Sequence, residues 1–209
     1  MKYLSSFLLI FVAIIASVNA KSEVFKISYH SYNNGEKSGR ELSIYYQESI
    51  VYLTEREDKI QNFTDLAREQ NISTIQYEGI TYGLITPFSE LPTPTPEADS
   101  EEILGYSCAH VSYSYFSNRI DVWYTEETEA KGSPYNRYIP GTNALVLKIV
   151  INNSREIRAY AIDKVEDYVV YNNFTADTKV VDQAEFEEIK INSRFRIVEV
   201  FRDEQINYD

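Results

Sequence analysis

Cys108-Ala109-His110-Val111-Ser112-Tyr113-Ser114-Tyr115-Phe116 runs into Ser117-Asn118-Arg119 and then Ile120-Asp121-Val122-Trp123-Tyr124-Thr125. Two stretches rich in β-branched and aromatic residues flank a short polar gap, the pattern of a β-hairpin. The pattern recurs downstream, where Ala144 to Ile151 and Ile157 to Val165 flank Asn152-Asn153-Ser154-Arg155. Upstream, Phe25, Ile27 and Tyr29 alternate with Lys26, Ser28 and His30, so the three apolar side chains share one face of a strand. Asn33-Asn34-Gly35 then marks a turn. Leu42 to Tyr46 and Ile50 to Leu53 flank Gln47-Glu48-Ser49, a gap that suits another hairpin. Thr74 to Tyr77, Thr81 to Thr86, Tyr168 to Tyr171 and Phe195 to Phe201 are further strand candidates, and Thr64 to Glu69 reads as one helical turn. Val181 to Lys190 is the one convincing helix. Asp182 can cap it with Glu185 as reciprocal partner, and Val181 and Phe186 stand at the positions of a hydrophobic staple. The sum is about eight to ten strands and one or two short helices, without strand-helix alternation. The expected fold class is mainly β, an antiparallel curved sheet or partly open barrel.

Composition sets the outer limits. The 209 residues suit one compact domain or two small ones, and a hydrophobic fraction of 44% is too high for bulk disorder. Lys and Arg number 20 against 32 Asp and Glu, for a net charge of -12. That balance argues against general affinity for nucleic acid or anionic lipid, because phosphate binding rests on Lys and Arg. One Cys excludes an internal disulfide framework and a Cys-rich zinc site, and two His exclude a three-His metal centre. Tyrosine is abundant, at 18 residues. Its apolar body and polar tip suit a half-solvated sheet face, and a concave aromatic surface of this kind suits sugars or peptide.

The first twenty residues read as an address. Met1-Lys2 is a short positive start, Leu4 to Val18 is almost wholly apolar, and Val18-Asn19-Ala20 offers small residues at a cleavage site. These are the marks of a secretory signal peptide, and the apolar run is shorter than a comfortable bilayer span. The expectation is cleavage after Ala20, periplasmic or secreted localisation, and a single β-rich domain over 21–209 with no stable membrane span. Within it, Leu91-Pro92-Thr93-Pro94-Thr95-Pro96 and the acidic run that follows read as an extended connector at 91–102, since Pro removes a ladder donor.

Motifs for catalysis are missing. No G-x-S-x-G, H-E-x-x-H, P-loop, dinucleotide fingerprint or calcium loop occurs. Cys108 and His110 stand two apart and share a face if the segment is a strand, yet they lack an evident third member or oxyanion donor. An ordinary Cys and His on a half-buried strand explain them, with Cys108 buried and inert. Glu126-Glu127-x-Glu129 and Glu185-x-Glu187-Glu188 read as solvated faces. Sequons occur at Asn62, Asn71, Asn152 and Asn173. No catalytic, cofactor-binding or metal-ligating residue is assigned, and no cofactor is expected.

Three segments carry a family likeness. They are Glu101-Glu102-Ile103-Leu104-Gly105-Tyr106-Ser107-Cys108-Ala109-His110, Ile120 to Thr125, and Ile139-Pro140-Gly141-Thr142-Asn143-Ala144-Leu145-Val146-Leu147-Lys148-Ile149. In that order they resemble the GLPGLI family of secreted bacterial β-proteins. The sequence is most similar to the N-terminal bowl-like domain of type II bacterial peptide-N-glycosidase F (PNGase F) enzymes, where Thr86-Pro87-Phe88, Leu91-Pro92 and the closing Phe201 to Asn207 also fit. Gly141-Thr142-Asn143-Ala144 departs from the compact GLPGLI consensus, which favours the glycanase-domain likeness. Gly105 permits a bend at a strand start, Trp123 is expected as a core anchor, and Pro140-Gly141 as a turn.

The resemblance implies a bowl-like sheet and a non-catalytic role. In the glycanase, the amide-cleaving chemistry belongs to a two-part β-sandwich region that follows this domain, and the chain stops at Asp209, about where that region would begin. The expectation is an exported accessory module without glycanase activity of its own. Its expected partner is glycoprotein, glycan or a partner protein, with a catalytic glycanase region among the candidates. The alternative is a periplasmic carrier of a lipid or other apolar ligand inside a half-barrel, and a hydrolase using paired carboxylates ranks last. Amino-terminal sequencing of the exported protein should begin at Lys21; a mature chain retaining Leu4 to Val18 would overturn the signal-peptide reading.

Overall fold

The structure is a computed structural model that describes residues 23–53, 60–166, 168 and 173–193. Twelve strands follow one another: β1 (Val24–Asn33), β2 (Glu36–Gln47), β3 (Ile50–Leu53), β4 (Ile60–Asp65), β5 (Gln70–Tyr77), β6 (Ile80–Pro87), β7 (Thr95–Ile103), β8 (Tyr106–Tyr115), β9 (Asn118–Thr125), β10 (Leu145–Ile151), β11 (Arg155–Val165) and β12 (Lys179–Val180). A 3-10 turn at Phe88–Glu90 follows β6, and helix α1 occupies 183–193. All strands join one sheet, in the order β12-β6-β5-β4-β3-β2-β1-β11-β10-β9-β8-β7. Every pair is antiparallel except β12 with β6. The mainly β class is as expected, and the sheet is open, with β12 and β7 as its ends.

Tight turns set the registers. Asn34 and Gly35 both hold positive φ, at 49° and 81°, the backbone hand that matches the twist of the flanking strands. Across β1, β2 and β3 this places Ile27, Ile44 and Leu53 opposite one another, and Phe25, Tyr46 and Val51 beside them. All but the half-buried Tyr46 are buried. Register shifts in β1 and β10 bend the sheet. At the β10 shift, the carbonyl of Val146 accepts a 2.9 Å hydrogen bond from the fully buried Tyr29 hydroxyl, so the bulge leaves no orphan acceptor there.

An open curved sheet needs something to cover its inner face. The segment 126–144 does this first. Gly132 pairs with the start of β10, its N–H donating to Ala144 O and its carbonyl accepting from Val146 N, both at 2.8 Å. Tyr135 and Tyr138 pack beside Val111, Tyr113, Ile120, Val122 and Ile149. Helix α1 covers the next part, with Val181, Phe186 and Ile189 against Ile75, Ile60, Tyr77, Tyr82 and Leu84. The Asp182 cap forms as expected, since Asp182 Oδ1 accepts from the N–H of Glu185 at 2.9 Å.

Three expectations need correction. Thr64 to Glu69 is not a helical turn: Thr64 and Asp65 end β4, and Asp65 Oδ1 accepts from Arg68 N to bend the chain back. The 91–102 stretch is not simply a connector, because from Thr95 it is strand β7. Pro96 is compatible with this because β7 lies at the sheet edge and, among the described residues, lacks a neighbour on one side. The loop of the β8–β9 hairpin is Phe116-Ser117, since Tyr115 pairs with Asn118 and Ser114 with Arg119. The signal segment 1–20, Phe195 to Phe201 and most of Tyr168 to Tyr171 lie outside the described residues.

Gly132 is the pivot of the inner covering. A Cβ there would stand 2.6 Å from Val51 Cγ2, and φ is +119°. Gly132→Ala should lower stability by about 2–3 kcal/mol, read from the denaturant midpoint. Val51→Ala added to it should recover part of that loss, because it removes the clashing methyls but not the backbone strain.

Candidate binding cleft

A cleft of about 430 Å³ lies on the inner face among the described residues. Its floor is the β4–β6 surface, with Asn62, Asn71, Ser73, Leu84 and Thr86. Gln183, Phe186, Glu187 and Lys190 of α1 form one wall, and Asn136, Arg137 and Tyr115 form the other. Leu91 and Pro92 close an end. Strands β4 and β8 stand far apart in the sheet order, so their meeting here measures how strongly the sheet curves.

The floor is polar for a local reason. Asn62 lies opposite Ser73, and Thr64 opposite Asn71. Ser73 Oγ donates to Asn62 Oδ1 at 2.6 Å, and Thr64 Oγ1 donates to Asn71 Oδ1 at 2.8 Å. Two sequons therefore interlock across the ladder, each asparagine taking the other's hydroxyl. Asn71 Nδ2 then donates to Asn136 O at 2.8 Å and ties the covering segment to the floor. The other two sequons also have structural roles. Asn152 accepts from Arg119 N and donates to Asn118 Oδ1, and Asn173 accepts from Thr74 Oγ1.

The walls present complementary chemistry. Arg137 donates to the Tyr115 hydroxyl, and its guanidinium carbon stands 5.1 Å from that ring's centre. Glu187 accepts from Gln183 Nε2 at 3.2 Å and pairs with Lys190 at 3.3 Å. The cleft thus offers amides, a guanidinium, a carboxylate and an aromatic ring, with Ile60, Leu84 and Phe186 as apolar contacts. Such a set orients a polar, hydroxyl-rich ligand better than a hydrocarbon chain. Apart from Glu187, weighed within an acidic run and read as a solvated face, none of these residues was singled out from the sequence for a site. They come from six separate segments and form no motif.

The other residues that the sequence did single out lie elsewhere. Cys108 is buried, its thiol donates weakly to Tyr106 O at 3.5 Å, and burial raises its pKa. His110 Nδ1 meets Asp99 Oδ1 at 2.6 Å, and Nε2 meets Asp121 Oδ1 at 3.1 Å. With the imidazole held by two carboxylates, the Cys-His pair is not assembled as nucleophile and base. Trp123 is half-buried rather than a fully buried anchor. His110 stacks on it at 4.2 Å, and Lys148 Nζ lies 4.0 Å from its ring centre. Glu126, Glu127 and Glu129 are exposed, as are Glu185 and Glu188, while Glu187 is half-buried in the cleft wall. Among the described residues, no three His, Cys, Asp or Glu side chains group as a metal site, and no helix is long and apolar enough to cross a membrane.

Residues 38–188 match the family model described as the N-terminal domain of peptide N-glycanase. Among solved structures, PNGF-II in the C2 space group matches with a TM-score of 0.70 at 19% identity, covering 82% of this chain and 33% of that one. PNGF-II in the P21 space group matches with a TM-score of 0.70 at 18% identity, covering 82% and 34%. The chain therefore spans about a third of the length of these solved structures. Comparison with curated proteins finds no match.

The charged cluster around Trp123 predicts an acid limit. The cost of burying Glu101 is the largest single influence on its pKa and acts upward. Lys148 and Arg158, each 2.6 Å away, together outweigh it and hold the carboxyl below its ordinary value. Asp99 is lowered by its hydrogen bond to His110, and Glu97 by its hydrogen bond to Ser112 with Arg119 adding to it. Carboxylates lowered in the folded state contribute stability that is complete above their unfolded pKa and lost as pH falls through the folded one. The urea midpoint should hold steady at neutral pH and decline below about pH 4.5. Glu101→Gln should lower the neutral midpoint and flatten the decline.

Proposed function

The chain belongs to the peptide N-glycanase N-terminal domain family, and from that premise we propose that it is an exported accessory module that binds the glycan of glycoproteins without cleaving it. The binding site in this reading is the cleft between α1 and the β8–β9 hairpin. One observation carries the proposal: the floor and walls bring Asn62, Asn136, Gln183 and Arg137 around one volume with Tyr115 at its side. Planar amides and a guanidinium pair with vicinal sugar hydroxyls, and an aromatic ring supports the apolar face of a pyranose. The lipid-carrier alternative draws less support, because the inner face is taken up by 126–144 and α1.

The non-catalytic part of the proposal rests on the family match, which falls on the domain that precedes the chemistry in the enzymes the sequence resembles. A wider kinship with the GLPGLI proteins belongs to the same proposal, carried by Ile103-Leu104-Gly105-Tyr106, Trp123-Tyr124-Thr125 and Pro140-Gly141 in sequence. Export rests on the leader-like segment 1–20.

Calorimetry with a high-mannose N-glycopeptide, and with the same peptide stripped of its glycan, tests the proposal. The glycosylated form should bind and the stripped form should not. Arg137→Ala should weaken binding about tenfold, as loss of a charge-assisted contact does. Equal binding of both forms, or release of free glycan from the glycopeptide by the chain alone, would overturn it.

A further inference from the structure

The tip of the β8–β9 hairpin carries an aromatic residue in water. Phe116 is 89% exposed, by far the most exposed large apolar residue among those described. Its φ is +52°, in a region that bulky side chains seldom adopt and that Asn or Gly would fill without strain. Glu48, Glu69, Glu78 and Leu104 also hold positive φ at turns, but of these Leu104 alone is a large apolar residue, and its exposure is 43%, about half as great. Nothing in the packing explains an aromatic residue here. Among the described residues its ring contact is Tyr115, to which it stands edge-on with centroids 4.5 Å apart and planes at 72°. A backbone outlier on an exposed aromatic residue points to contact outside the fold.

What it meets follows from where it stands. Tyr115 is a wall of the cleft, steadied by Arg137 through its hydroxyl and over its ring. An edge-on pair makes an aromatic corner at the cleft rim, with one ring beside the polar floor and the other projecting beyond it. Phe116 has no polar atom, so it contributes a flat apolar face and no hydrogen bond. A pyranose carries C–H groups on one face and hydroxyls at its edge. In this corner its hydroxyls reach the amide and guanidinium side chains while its C–H face lies on the outer ring.

We infer that Phe116 is a stacking platform for a sugar ring at the mouth of the cleft, extending the binding surface by one residue beyond the enclosed part. The inference rests on the glycan-binding reading of the cleft. It makes Phe116 a residue retained for recognition at a cost in backbone strain.

The test separates strain from binding. Phe116→Asn should leave the thermal midpoint unchanged or raise it, because Asn accepts the left-handed backbone. Its affinity for the high-mannose N-glycopeptide should fall about fivefold, and Phe116→Trp should stay within about twofold of the unaltered chain. Affinity for the free reducing glycan should fall in parallel. If Phe116→Asn binds as tightly as the unaltered chain while Arg137→Ala has lost binding, the cleft reading stands and the platform is overturned. If the loss is confined to the glycopeptide and the free glycan is unaffected, Phe116 meets peptide and the proposal fails. If the unaltered chain binds neither, the platform falls together with the cleft reading.

Discussion

A sheet of twelve strands that curves without closing has an inner face which, among the described residues, no second sheet covers. Filling that face is the constraint on which the rest of the molecule depends, because apolar side chains of β1, β2 and β3 would otherwise stand in water. The chain fills it with its own loops. Gly132 lies against Val51, and its backbone completes hydrogen bonds at the start of β10. Phe186 and Ile189 of α1 continue the covering over β5 and β6. The candidate cleft is the volume left between these two fillers. Its shape therefore depends on how the covering segment and the helix are seated, as well as on the residues that line it.

The outer face solves a different problem. There the sheet carries charge partly out of water, and each group is compensated in place. His110 lies between Asp99 and Asp121, and Lys148 and Arg158 converge on Glu101. These links run from the edge strand β7 inward to β8, β9, β10 and β11. They pin a proline-bearing, acidic strand that local propensity alone would leave unpaired. The acidic side chains also make that edge a poor template for a further strand.

Much of this fold is legible in the residues, and the failures have physical causes. Alternation marks β1, Asn34-Gly35 marks its turn, and Asp182 with Glu185 marks the helix. Strand β4 escapes because its floor positions are Asn62 and Thr64, whose hydrogen bonds to β5 replace the apolar side chains that periodicity detects. Strand β7 escapes because Pro and a run of acids describe an edge as well as a linker. The cleft was not legible at all. Tyr115, Asn136, Arg137 and Gln183 converge only through the curvature of the sheet, and no spacing in the chain records that curvature.

The interlocked pairs Asn62–Ser73 and Thr64–Asn71 bear on how this chain is best produced. Oligosaccharide transfer reaches acceptor sites while a chain is still extended, and it consumes the amide nitrogen on which a sequon is built. A sugar tree added to Asn71 would remove a hydrogen from the nitrogen that holds the Asn136 carbonyl and would stand where the covering segment must settle. Manufacture through a eukaryotic secretory route thus sets decoration of these acceptors against zippering of the two strands, a conflict that a host without an oligosaccharyltransferase does not impose.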